Sequence, residues 1–124
     1  MRIEDILRGL GITCNYRGYK NTVIAVNLIL SNMDRLEAVT KEVYFEVARQ
    51  CGCKWSSVER NIRTVVQRVW RINPKLLIDI AGYPMTEPPT VSEFLEIIAN
   101  YILRSEGKAH SADAFVQVQM LRVE

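Results

Sequence analysis

The stretch that decides the fold is KWSSVERNIRTVVQRVW, Lys54 to Trp70. On a helix of about 3.6 residues per turn, Val58, Ile62, Val65, Val69 and Trp70 fall on one side, while Glu59, Arg60, Arg63, Gln67 and Arg68 fall away from it. The first set is sufficient to dock the helix on a core. The second is either a solvated face or a surface that reads something else.

Upstream, TKEVYFEVARQC (Thr40 to Cys51) presents Val43, Tyr44, Val47, Ala48 and Cys51 on one helical face, and Gly52-Cys53-Lys54-Trp55 separates the two helices. A short helix, a brief turn containing glycine and a longer helix form the helix-turn-helix pattern. Ala48 is small where the helices cross, Gly52 suits the positive φ that ends the first helix, and Val58 and Ile62 bury the second. Cys51 and Cys53 are expected to flank the turn as small apolar plugs. Trp55 and Trp70 are expected in the core or at the hinge.

In this geometry the N-terminal half of the second helix enters the major groove of DNA, and Ser57, Glu59, Arg60, Arg63 and Thr64 face base edges or flanking phosphates. Arginine matches the O6 and N7 acceptors of guanine, and glutamate accepts from the amino group of cytosine. Lys54 and Arg68 are the best placed for phosphates. Bland roles compete with these: Ser56 and Glu59 fit a capping box at the helix start, and Arg68 and Arg71 suit a helix C-terminus through the macrodipole. Spacing alone leaves open whether the pair meets nucleic acid.

Charge adds weight. Lys54 to Arg71 holds five basic residues and one acid, whereas the whole chain carries a net charge of only +2, so the basic character is local. The 124 residues suit one domain, and 48% hydrophobic with 24% charged residues are ordinary globular values. No apolar run approaches the roughly 18 residues of a spanning helix, and MRIEDILRGLG is not a signal peptide, so a cytoplasmic protein is expected. Three cysteines, two in a C-G-C pair, suggest reduced thiols, and the single histidine, His110, has no partner in sequence. No metal, cofactor or enzymatic activity is expected.

Helical periodicity runs through the chain and defines an all-α class of six helices: Ile3 to Gly9, Thr22 to Ser31, Thr40 to Cys51, Ser57 to Ile72, Lys75 to Ala81 and Val91 to Ser105. Thr90 and Glu93 fit a second capping box, Gly107 a helix stop, and Cys14 to Lys20 a loop. Residues 1–107 form the helix-turn-helix domain and 108–124 a tail. There Phe115, Val116, Val118, Met120, Leu121 and Val123 alternate imperfectly with polar residues, which fits a short strand, a pairing segment or a disordered end.

The string SSVERNIRTVVQRVW, with Gly18-Tyr19, Thr40-Lys41, Gly82-Tyr83 and Pro89-Thr90-x-Ser92-Glu93-Phe94, resembles the C-terminal DNA-binding effector domain of the sporulation response regulator, stage zero sporulation protein A. The resemblance runs from about Ile3 to about Leu103. It implies a six-helix domain that reads elements of the TGTCGAA type, usually in tandem and by paired protomers. Glu59, Arg60 and Arg63 match base-contacting positions of the family. Ser57 stands where the family commonly has arginine, and Thr64 where a histidine is found. Family members also carry an N-terminal receiver domain, which these 124 residues do not contain. The segment RINPKLLIDIAGY (Arg71 to Tyr83) corresponds to the family's contact with the σ subunit of RNA polymerase. Here it is one residue shorter before Gly-Tyr, holds Pro74 and is unusually apolar, so the activator function is not carried over.

The expectation is therefore a transcription regulator bound to double-stranded DNA, pairing at least on its site, with a protein-interaction module built on LLIDI (Leu76 to Ile80) and the tail as the rival.

Overall fold

Val58, Ile62, Val65, Val66 and Val69 form a buried stripe along the helix Trp55–Ile72, and the domain assembles around it. Each aliphatic side chain so enclosed contributes about 1.5–3 kcal/mol relative to exposure, enough to hold a helix whose other face is polar. The computed structural model describes residues 2–110. Among them are six α-helices: α1 (Ile3–Gly9), α2 (Arg17–Ser31), α3 (Phe45–Cys51), α4 (Trp55–Ile72), α5 (Pro74–Ala81) and α6 (Val91–His110). A 3-10 helix (Met33–Ala38) and a π-helical turn (Thr40–Tyr44) join α2 to α3. The all-α class follows from the periodicity. The alternating segment 115–123 lies outside the described residues.

α2 and α6 flank α4 and supply most of the remaining core, including Ala25, Val26 and Ile29 from α2 and Phe94, Leu95, Ile98 and Ile102 from α6. α1 closes the core with Ile3, Ile6 and Leu7. α5 adds Leu77 and Ile80, while Leu76 and Ile78 are half-buried, so the LLIDI segment turns its apolar character largely inward.

Local chemistry sets several boundaries. Thr90 and Glu93 close the anticipated capping box: the Thr90 backbone N–H donates to the Glu93 carboxylate at 2.9 Å, and the Glu93 N–H donates to the Thr90 hydroxyl at 3.1 Å. Asn73 caps α5 by accepting from the Leu76 N–H, with Pro74 at the first helical position where its missing donor is harmless.

Several boundaries differ from expectation: α4 starts at Trp55 rather than Ser57, and the helix expected from Thr40 is π-helical as far as Tyr44. α2 starts at Arg17 rather than Thr22, because Gly18 and Asn21, poor helix formers in isolation, are buried against neighbouring helices. The 3-10 helix stands where periodicity predicts no element, although Asn32 announces it by accepting from the Asp34 N–H. α6 continues past Gly107 to His110, so that glycine does not stop the helix.

Candidate nucleic-acid interface

The junction of α3 and α4 is set by Gly52, which adopts φ 68° and ψ 38°. This left-handed position, favourable to glycine, lets the Cys53 N–H reach back to the Ala48 carbonyl at 3.0 Å, the long bond of a Schellman ending. The chain then leaves in extended form at Lys54 and re-enters a helix at Trp55. Val43, Tyr44, Val47 and Ala48 are buried on the face foreseen for the first helix. Cys51 is half-buried, but Cys53 is exposed and plugs nothing.

The capping role of Ser56 does not hold. α4 begins at Trp55, its N-cap is Lys54, and no side chain caps it. Ser56 is thus the second helical residue and is exposed. Glu59, freed from capping, forms an ion pair with Arg63 one turn further along. Its carboxylate raises the Arg63 pKa through that hydrogen bond and their mutual charge, which holds the guanidinium cationic. Beneath them, burial pushes the Tyr44 phenol up to about 12, the nearby Glu59 charge adding to the effect and Arg63 opposing it.

Along the outer face of α4, Ser56, Arg60, Arg63, Thr64, Gln67 and Arg71 are all exposed. The Arg60 guanidinium reaches the Ser57 hydroxyl at 3.5 Å, a loose contact that leaves it free to swing outward. The Thr64 hydroxyl donates to the Arg60 carbonyl at 3.1 Å, so it offers its methyl group and acceptor lone pairs rather than its proton. Lys54 stands exposed at the head of the helix. Gln67 and Arg71 share the Arg60 face through their helical phase.

Arg68, expected to reach phosphate, instead holds its guanidinium 4.9 Å above the Tyr16 ring, and its buried Nε finds no hydrogen-bond partner among the described residues. It is half-buried and points to the α2 flank rather than outward. Trp55, expected in the core or at the hinge, lies at the hinge: it is 43% exposed and packs on Phe45 of α3, 48% exposed, with ring centroids 6.0 Å apart. Trp70 is half-buried against the core, as anticipated.

Two side-chain links hold this face in place. Asn61 of α4 donates to Asn21 of α2 at 3.0 Å, and Asn21 donates to the Cys51 sulfur of α3 at 3.5 Å, tying three helices together beside the turn. Gly18 lies so close to α4 that a Cβ there would sit 2.4 Å from both the Asn61 carbonyl oxygen and Val65 Cγ2.

A glycine-turned helix pair whose second helix turns arginines, small hydroxyls and an amide outward has the form of a helix-turn-helix. The family model described as Sporulation initiation factor Spo0A C terminal matches residues 3–102, and the chain belongs to that family. These are DNA-binding effector domains of transcription regulators, not enzymes. Among the described residues, no helix is long and apolar enough to cross a membrane.

Proposed function

We propose that the chain is a sequence-specific DNA reader in which α4 occupies the major groove, Arg60 and Arg63 address guanines, and Lys54 and Arg71 contact phosphates. The observation that supports it most is the exposed row Ser56, Arg60, Arg63, Thr64, Gln67 and Arg71, on a helix whose one carboxylate, Glu59, is paired within the helix. Glu59 switches partner on binding, from Arg63 to the amino group of a cytosine. Arginines on neighbouring turns suit G·C-containing elements, and the family membership directs attention to sites of the TGTCGAA type. Tandem elements place two copies of the chain side by side on DNA, which raises affinity without requiring a dimer in free solution.

Fluorescence anisotropy with a duplex of two such elements and a scrambled duplex, each at two salt concentrations, tests the proposal. Binding that prefers the element and weakens steeply with salt is the expected result. Equal affinity for both duplexes contradicts base reading by Arg60 and Arg63. For the rival protein-interaction module, Leu77 and Ile80 are core residues and only Leu76 and Ile78 of its apolar segment are half-buried, while its other part, the tail, lies outside the described residues.

A further inference from the structure

A cleft of about 550 Å³ runs between the first turn of α2 and the first two turns of α4. Arg17 and Lys20 line one wall and Ser57 and Arg60 the other. Among the described residues no carboxylate borders it, in a chain holding 14 acidic residues. Three cations facing one carboxylate-free opening make a local positive potential suited to an anion. Arg17 and Lys20 are exposed and enter none of the ion pairs found among the described residues.

Position identifies the anion. Arg60 belongs both to the outer face of α4 and to the cleft wall, so the cleft opens along one edge of that face. A duplex that receives α4 in its major groove carries a phosphate strand along each edge of the helix. We infer that the cleft receives backbone phosphate of one such strand, held by Arg17 and Lys20 of α2, a helix outside the helix-turn-helix itself. The inference rests on the reading of α4 as the groove helix. It gives Gly18 and Asn21 a further role, because both lie between Arg17 and Lys20 or next to them and fix this turn of α2 against α4.

Two measurements on the 124-residue chain test it. The double variant Arg17→Ala/Lys20→Ala should keep the ratio of element to scrambled affinity, while the slope of log affinity against log salt becomes shallower by about one for each phosphate no longer neutralised. An unchanged slope overturns the inference. The second measurement uses the unmodified chain, so it does not depend on how the variant folds. Cys14 is exposed and lines the cleft. Its alkylation by a maleimide, followed by mass spectrometry, should slow when the element duplex is bound and stay unchanged in inorganic phosphate at equal ionic strength.

Labelling of Cys14 at the free rate in a complex that still prefers the element leaves the groove reading standing and removes the cleft from it. Protection by inorganic phosphate alone assigns the cleft to a free anion and overturns the inference. Absence of any DNA binding removes both readings together.

Discussion

The Asn61 side chain donates a 3.0 Å hydrogen bond to the Asn21 carbonyl oxygen, joining α4 to α2 at a point where Asn21 is almost wholly buried. Asn21 in turn donates to Cys51, so one amide positions both helices of the helix-turn-helix unit. Asn21→Ala strands the Asn61 amide at a half-buried site and should cost about 1–3 kcal/mol, read as a lower denaturant midpoint with an unchanged slope. A loss below about 0.5 kcal/mol would show that water replaces the bond without penalty.

Gly18→Ala is expected to be comparably damaging for a different reason. The added methyl group meets the Asn61 carbonyl and Val65 at 2.4 Å, and a backbone atom cannot swing aside, so α2 must shift from α4. Overpacking of this kind costs about 1–3 kcal/mol, and for a domain near this size each kcal/mol lowers the melting temperature by about 4–8 °C. An unaltered melting temperature would contradict the close approach.

These two residues also show why the start of α2 is not legible in the sequence. Arg17-Gly18-Tyr19-Lys20-Asn21 reads locally as a turn, and only packing on α4, some 40 residues away, makes it helical. Where the determinants are local, the reading holds: Gly52 at the turn, the Thr90–Glu93 capping box and the valine stripe of α4 all depend on neighbours within a few residues. Ser56 fails as a cap because Ser-x-x-Glu matches a motif whose glutamate is claimed by Arg63 and whose helix has already begun at Trp55. Arg68 fails as an outward cation because Tyr16, distant in the chain, lies beneath it. The cleft cations Arg17 and Lys20 are hidden from sequence reading for the same reason, since nothing in their own segment places them beside Arg60.

Tyr44 makes stability sensitive to alkaline pH. Its phenol ionises at about 12 in the folded chain against an ordinary value of 10.0, so from pH 10 upward the unfolded chain loses the proton first and gains from doing so. The stabilising contribution is complete below pH 10 and is lost as pH rises towards 12. Tyr44→Phe should flatten the decline across that window, in chemical denaturation compared with the unmodified chain. Parallel pH profiles for the two proteins would rule out Tyr44 as its source.

Glu59→Gln separates the two tasks proposed for Glu59. With the carboxylate gone, Arg63 is released and repulsion from phosphate falls, so affinity for scrambled DNA should rise roughly two- to fivefold at low salt. Affinity for the element should rise less or fall, since the acceptor for cytosine is weakened. Anisotropy titrations on both duplexes decide this, and an equal gain on each would confine Glu59 to an electrostatic role.

The most direct measurement for base reading by α4 is the affinity of Arg60→Ala for the tandem-element duplex and for the scrambled duplex, at matched salt. Arg60 is exposed at the centre of the outer face and bound only loosely to Ser57, so its removal should leave the fold intact. A loss of about 1–3 kcal/mol on the element with little change on scrambled DNA is the predicted result. An equal loss on both duplexes would reduce Arg60 to a phosphate contact and contradict base reading at this position.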